Sequence, residues 1–176
     1  MRRLGLCCAL AVALLALAPI AQADTVHLPL VSRHTHTAPT LRGTVTHVCD
    51  ADTVDIALDC CPCVSRVRVR LLGVDAPERG ACMWAEGRDA MRHWTQGHAA
   101  ILEQDATEYD GYNRLLGWLW VDGALVNARV ILEGYAVTDI RPPDDRHGPR
   151  LLSAESDAQA HGRGGWAACE VWPPVD

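Results

Sequence analysis

Three carboxylates and two guanidiniums stand at positions where predicted strands end. Asp52 closes the turn-prone triplet DAD, Arg70 ends an alternating strand, and Asp75 and Glu78 follow that strand in GVDAPE. Arg114 comes directly after the turn sequence YDGYN. Loop carboxylates suit a hard cation such as Ca²⁺, guanidiniums grip phosphate at two points, and a carboxylate without a cationic partner is a candidate general base. Together these residue types predict hydrolysis of a phosphodiester.

The arginines of this strand form a row. A period of two places Arg66, Arg68 and Arg70 on one face, with valine and leucine side chains on the core face. For Arg66 and Arg68 both a solvated strand face and a phosphate contact remain open. Arg70 is distinguished because a glycine and a proline turn the chain after it, which allows Asp75 and Glu78 to approach its guanidinium.

Strands and helices alternate in an order typical of a small α+β domain. Three strands (LRGTVTHVC, TVDIAL and VSRVRVRLLGV) precede a helix that begins near Trp84. A short strand around 101–104 and the apolar strand RLLGWLWV follow. A helix, ALVNARVILE, ends at Gly134, and a last helix runs from Pro149 to about Gly162. The order β-β-β-α-β-β-α-α predicts five strands in a closed or partly open barrel with three helices.

The ends of the chain differ in composition from this domain. Residues 1–23 combine two arginines, an apolar run and a final Ala-Gln-Ala, which predicts a secretory signal peptide and a secreted or periplasmic protein. The apolar run is short for a membrane span, so no membrane association is expected after cleavage. Residues 24–40 read as a flexible arm, in which His34 and His36 are metal ligands or part of a solvated tail. The domain is predicted over 41–169, with a tail over 170–176.

Net charge and cysteine content bear on nucleic-acid binding and on disulfide formation. All 16 basic residues are arginines, and removal of residues 1–23 leaves 14 of them against 22 acids, a net charge of −8. Such a charge opposes non-specific binding of nucleic acid. Six of the 8 cysteines remain after cleavage, and an even number in an exported chain favours disulfides.

Four segments resemble the staphylococcal nuclease, or thermonuclease, family. They are DADTV (50–54), VRLLGVDAPE (69–78), DGYNRLLGWLWVDGALVNARVILEGYA (110–136) and SDAQAHGRGGW (156–166). They occur in the family's order and cover most of residues 41–166. The resemblance implies a five-stranded OB-fold barrel with three helices and calcium-dependent hydrolysis of DNA and RNA, with cleavage on the 5′-oxygen side that leaves 3′-phosphate ends.

The resemblance also implies a role for each matching residue. Asp52 and Asp75 would bind Ca²⁺ through their carboxylates and Ala76 through its main-chain carbonyl. Glu78 would activate the attacking water. The remaining residues would contact substrate, Arg70 and Arg114 as phosphate clamps and Tyr112 at the nucleotide.

Several residues near these motifs keep two readings. Asp50 either stabilises the hairpin turn or contributes to the metal site, and Tyr112 either contacts a nucleotide or packs in its turn. Asn127 is expected to bond main-chain groups rather than substrate. The tryptophans expected in the core or at docked helices are Trp118, Trp120 and Trp166.

The chain departs from the family pattern around the substrate. Gly111 stands where the family often has lysine, and Ile140 stands where an aromatic side chain stacks on the base. The loop after Glu78 is short. These differences predict weak, salt-sensitive binding and favour short or single-stranded substrates for what is expected to be a monomer.

Among the cysteines, Cys82 follows the Glu78 loop and Cys169 follows the last helix, and we predict a disulfide between them. The others, Cys49, Cys60, Cys61 and Cys63, are left to pair with one another or to bind Zn²⁺.

Two alternatives to a nuclease remain. One is a barrel that binds nucleic acid or a protein without cutting it, and the other is an envelope protein whose calcium only stabilises the fold. The joint presence of Asp52, Arg70, Asp75, Glu78 and Arg114 favours catalysis.

Overall fold

Five strands close into a mixed barrel, which three helices accompany. The computed structural model describes residues 39–60 and 66–173. The predicted signal peptide, almost all of the predicted arm, including His34 and His36, and the last three residues lie outside the described residues. So do Cys61 and Cys63.

The elements follow one another along the chain as β1 (Thr40–Val48), β2 (Thr53–Leu58), β3 (Val67–Leu71), β4 (Gly73–Asp75), α1 (Trp84–Thr95), β5 (Ala99–Glu103), β6 (Leu115–Val121), β7 (Ala124–Leu125), α2 (Val126–Leu132), β8 (Val137–Asp139), α3 (Gly148–Ala160) and α4 (Gly165–Ala168). The strands pair in the order β3-β2-β1-β5-β6-β7. A parallel pairing of β3 with β6 closes the barrel, and the other pairs of this sheet are antiparallel. The predicted α+β fold, a five-stranded OB-fold barrel with three helices, is therefore confirmed.

The core lies where the alternating strand pattern predicts it. Val69 and Leu71 of β3 are buried, whereas Arg68, which precedes Val69, is exposed. The strand β6 carries apolar side chains with little alternation, and Trp118 and Leu119 at its centre are completely buried. Burial of each such apolar side chain contributes roughly 1.5–3 kcal/mol to the free energy of unfolding.

The predicted third strand is divided in two. Gly73 adopts φ of 70°, where other residues are strained, and the chain turns there from β3 into the three-residue strand β4. A Cβ atom at this position would lie 2.6 Å from a side-chain carbon of Leu151 on α3. The strand β4 pairs with β8, so the turn gives the chain a second, two-stranded sheet beside the barrel. Strands of two or three residues carry no periodicity. The sequence pattern therefore does not separate β4 from the third strand and does not indicate β7 or β8.

The structure contains a disulfide between Cys82 and Cys169, the pair proposed from the sequence, with a Cα–Cα distance of 6.0 Å. The bond links the segment between β4 and α1 to the residue after α4. Cys49 and Cys60 flank opposite ends of the six-residue strand β2. At about 3.3 Å per residue these ends are far beyond the ~7 Å that a disulfide allows between Cα atoms. Of the pairings left open for the four remaining cysteines, a bond between Cys49 and Cys60 is therefore excluded, and the thiol of Cys49 is free.

Within residues 39–60 and 66–173, none of the helices has the length and apolar character needed to span a membrane.

Candidate active site

Strand pairing gathers the predicted site residues at one end of the barrel. The antiparallel register of β2 and β3 sets Thr53 opposite Arg70, so Asp52 in the preceding turn lies beside this arginine. The parallel register of β3 and β6 sets Arg70 opposite Leu116, two residues after Arg114. Arg70 therefore occupies the middle of three adjacent strands, with a carboxylate on one side and a guanidinium on the other.

The Arg70 guanidinium contacts both aspartates proposed as metal ligands. Its Nη1 pairs with Oδ2 of Asp52, and its Nη2 lies 3.7 Å from Oδ1 of Asp75. The same Nη2 donates a hydrogen bond to the main-chain oxygen of Val74 at 3.1 Å. These contacts orient the guanidinium towards the segment that carries Asp75 and Ala76.

Asp52 is held rigidly, since it is 2% exposed. Its Oδ1 accepts a hydrogen bond from the Thr53 hydroxyl at 2.8 Å, and its Oδ2 accepts one from the amide of Ala76 at 3.2 Å. The second bond ties the turn between β1 and β2 to the segment after β4. Asp52 and Ala76, two of the three proposed calcium ligands, are therefore in direct contact.

Asp50 adds a further carboxyl to this corner. Its Oδ1 accepts a hydrogen bond from the Asp52 amide at 3.3 Å, which accounts for a role in the turn. Burial and the neighbouring Asp52 carboxylate raise the pKa of Asp50 to about 7.

These residues fit Ca²⁺, because the donors are carboxylate and main-chain oxygens. No group of three or more histidine, cysteine, aspartate or glutamate side chains arranged to hold a metal is found among the described residues. A cation here would therefore draw on two carboxylates, Asp52 and Asp75, and on the Ala76 carbonyl.

Glu78 is exposed at the edge of the same cleft. Within the part of the chain that the structure describes, its carboxylate makes no hydrogen bond or ion pair, although its main-chain oxygen accepts a bond from the Ala81 amide at 2.9 Å. The segment is thus fixed through its backbone while the carboxylate remains open to solvent. This is the arrangement that a general base acting on water needs.

Asp110 positions Arg114. Its Oδ2 accepts a hydrogen bond from Nε of Arg114 at 2.6 Å, and its Oδ1 accepts from the amides of Arg114 and Tyr112, both at 2.9 Å. Burial raises the pKa of the Asp110 carboxyl, but these hydrogen bonds outweigh burial and the net pKa is lowered. The Arg114 guanidinium lies 5.4 Å from the ring of Tyr112, which is 85% exposed. A charged carboxylate therefore orients the second arginine.

Two adjoining cavities share the residues Arg70, Glu78 and Arg114. The larger has a volume of about 700 Å³ and also contains Asp75 and Tyr112. The smaller, of about 320 Å³, is the one that contains Asp50, Asp52 and Ala76. The structure thus brings all the sequence-predicted site residues to one cleft.

Other candidates of the sequence analysis have structural partners. Arg68 donates to Asp55 at 2.8 and 3.3 Å, Arg66 lies 3.7 Å from the same carboxylate, and the hydrogen bond from Arg68 lowers the pKa of Asp55. The first two arginines of the row are therefore paired away from the cleft. Asn127 is fully buried and bonds main-chain groups of Leu72 and Leu119, as expected.

The tryptophans act in packing. The indole of Trp118 donates to Asp105 and that of Trp120 donates to Glu103, each at 3.0 Å. The ring of Trp166 lies 6.1 Å from that of Trp172, so the residues after α4 pack back on the domain.

Sequence reasoning missed several residues that contribute to the cleft. From β8 and the residues that follow it come Thr138, Asp139 and Arg141. Arg79 comes from the segment before α1, and Trp84 is the first residue of α1. Ile140 itself packs near Gly148 at the start of α3. The signal available for Arg79 and Trp84 was their closeness to Glu78 in the sequence, since a residue next to a predicted base is near its substrate.

A five-stranded mixed barrel with arginines and carboxylates gathered at its strand ends defines an OB-fold protein of the α+β class. Residues 68–168 match the family model described as "Staphylococcal nuclease homologue". The chain belongs to the staphylococcal nuclease family.

Individual relatives agree with this assignment. The chain is 32% identical over 145 residues to "Protein ParB" of Escherichia coli, which covers 75% of this chain and 77% of that protein. It is 31% identical over 122 residues to "Thermonuclease" of Staphylococcus intermedius, covering 65% of this chain and 70% of that protein. An "Uncharacterized endonuclease" of Escherichia coli is 27% identical over 135 residues, with 76% and 82% covered.

Proposed function

We propose that this protein is a calcium-dependent nuclease that hydrolyses phosphodiester bonds in DNA and RNA and leaves 3′-phosphate ends. The observation that carries the proposal is the shared cleft, in which Arg70 and Arg114 flank an open Glu78 carboxylate beside Asp52 and Asp75. Family membership and relatives named as nucleases support the nuclease activity in general.

In the proposed reaction, Arg70 and Arg114 bind the non-bridging oxygens of the phosphate. Glu78 accepts a proton from a water molecule as that water attacks phosphorus, and the bond to the 5′-oxygen breaks. The two guanidiniums neutralise the charge that builds up on the five-coordinate phosphorus. A calcium ion held by Asp52, Asp75 and Ala76 would supply further positive charge beside the phosphate.

The substrate and setting follow from the rest of the chain. We infer a single-stranded substrate, because Gly111 and Ile140 leave the cleft rim without the lysine and aromatic side chain that the family often has. We also infer export through residues 1–23 to a secreted or periplasmic location, without membrane attachment, and action as a monomer. The disulfide between Cys82 and Cys169 supports an oxidising compartment.

The test is digestion of single-stranded DNA by the oxidised protein at low salt, with Ca²⁺, with Mg²⁺ or with a chelator. Wild-type protein is expected to cut only with Ca²⁺. Glu78→Gln is expected to lose roughly 10²–10⁴ in kcat, which is the contribution of a positioned base. Because the Glu78 carboxylate makes no hydrogen bond or ion pair with other described residues, the variant should unfold at the wild-type temperature.

Two results would contradict the proposal. Cleavage that persists in chelator would show that the reaction does not require a metal ion. Binding of DNA or Ca²⁺ without any cleavage, equal in wild type and variant, would establish a binding module or a structural calcium site instead.

A further inference from the structure

The cleft extends on both sides of the proposed scissile phosphate. Its two cavities meet at Arg70, Glu78 and Arg114, so a phosphate held by the arginines lies between them. One side carries the exposed ring of Tyr112. The other side carries a second aromatic ring, that of Trp84, together with Arg79.

Trp84 is the first residue of α1 and lies under two guanidiniums. The Cζ atoms of Arg79 and Arg88 are 5.3 and 4.6 Å from the ring centroid. Arg88 is held in place by Asp89, which accepts hydrogen bonds from its Nε and Nη2 at 3.0 and 2.9 Å. Arg79 is exposed and makes no ion pair with any other described residue, so its charge is available to a ligand.

Packing of the core does not account for this ring. Trp94 at the other end of α1 has a similar arginine contact, with Cζ of Arg129 4.1 Å from its ring, and packs against the hydrophobic core and Tyr135. Trp84 is not among the side chains described as packing on that core. An aromatic ring and an unpaired guanidinium that open into a cleft form a surface suited to a nucleobase and its phosphate.

We propose that Trp84 and Arg79 form a second nucleotide-binding subsite, on the opposite side of the scissile phosphate from Tyr112. Trp84 stacks on the base of the flanking nucleotide when the Arg79 guanidinium leaves its ring, and Arg79 then binds the next phosphate of a single strand. The inference rests on the proposed function for the position of the scissile bond. It means that the protein binds a strand on both sides of the cut, as cleavage within a strand requires.

The local charge agrees with this assignment. The whole chain is acidic, with a formal net charge of −6, and offers no general attraction to a polyanion. Arg79, Arg88 and Arg92 nevertheless lie along one short segment, where Asp89 pairs with the latter two. Arg79 thus adds a third guanidinium to those of Arg70 and Arg114 around the cavity that contains Asp52 and Ala76.

The test measures binding in a Glu78→Gln background, so that no cleavage is needed. The ligands are two fluorescent eight-nucleotide single strands, one with bases and one fully abasic, at low salt with Ca²⁺. Trp84→Leu is expected to weaken binding of the base-carrying strand roughly tenfold, a typical loss for one stacked base, and to leave the abasic strand unchanged. Trp94→Leu is the matched control and is expected to bind both strands as the parent does.

Arg79→Gln reports the phosphate contact separately. This variant is expected to weaken binding of both strands equally. It should also reduce the magnitude of the slope of log affinity against log salt by about 0.7, the value for one phosphate contact on a single strand. Unchanged affinity of Trp84→Leu for the base-carrying strand, or equal losses on both strands, would overturn the subsite.

Failure of the subsite and failure of the nuclease proposal give different results. If the wild-type protein cuts DNA but Trp84→Leu binds the base-carrying strand normally, only the subsite proposal is overturned. The expected binding pattern in a wild type that never cuts leaves the subsite standing and rejects the nuclease.

Discussion

Arg70 makes contacts that a lysine cannot reproduce. Its two terminal nitrogens pair with Asp52, approach Asp75 and donate to the Val74 carbonyl. A planar guanidinium satisfies these groups and still presents a fixed edge to phosphate, whereas an ammonium is a single point of charge. Geometry at this position therefore matters more than charge.

Arg70→Lys is expected to lose about 10²–10³ in kcat on single-stranded DNA, the loss typical of removing one preorganised donor to a developing oxyanion. The matched control is Arg68→Lys, two residues away on β3, because Arg68 pairs with Asp55 outside the cleft. Steady-state kinetics on both variants would measure the difference. Near wild-type turnover of Arg70→Lys would count against the assignment.

At the scale of elements, the segment between β4 and α1 carries Glu78 and Arg79 and ends at an unusual turn directly before Trp84. Met83, which precedes α1, adopts φ of 68° without a side-chain cap on the helix. The disulfide at Cys82 attaches this turn to Cys169, 87 residues later. The bond therefore attaches the segment that supplies the proposed base, Glu78, to the residue that follows α4.

Replacement of both bonded cysteines by serine is expected to lower the free energy of unfolding by about 2–5 kcal/mol, because a long loop of the unfolded chain is released. Urea denaturation of the oxidised protein and of Cys82→Ser/Cys169→Ser would measure this change. Cys49→Ser is the control, since Cys49 is in no disulfide and should leave the midpoint nearly unchanged. Equal midpoints for all three proteins would show that the bond contributes little.

The turn at Gly134 allows the end of α2 to approach the segment before α4. Gly134 adopts φ of 74° after α2, and a Cβ atom there would lie 2.1 Å from the main-chain oxygen of Arg163. The amide of Gly165 donates to the Gly134 oxygen at 2.9 Å. The glycine thus ends α2 and also permits a close backbone approach of the segment before α4.

At the scale of the whole molecule, substrate binding depends on a few arginines in an acidic chain. The protein has 22 acids against 16 arginines and no lysine, so long-range attraction of nucleic acid is absent. In the proposed nuclease, contacts of Arg70, Arg114 and Arg79 with phosphates therefore supply the binding energy locally.

Activity at substrate concentrations far below KM is therefore expected to fall with added salt. Three phosphate contacts on a single strand give a slope of log kcat/KM against log salt of roughly −2, which is about a 16-fold loss between 50 and 200 mM. The measurement is a salt series at fixed Ca²⁺, with a neutral osmolyte as the control for solvent effects. A flat dependence would mean that phosphate contacts do not limit binding.

Local patterns in the sequence determined the five longer strands, the three longer helices and the residue types gathered at the site. Alternation in the third strand decided which side chains face the core, because successive side chains of a strand point to opposite faces. The carboxylates and arginines fell at strand ends, and these ends meet once the barrel closes. Their types and their common location followed from the sequence alone.

Only the tertiary structure decided what each of these side chains contacts. The register of β2 and β3 pairs Arg68 with Asp55 and places Arg70 beside Asp52, although both arginines lie on the same strand face. The pairing of β4 with β8 and the position of Trp84 in the cleft likewise depend on contacts between distant segments. Such contacts arise from packing of the whole chain, which local periodicity does not encode.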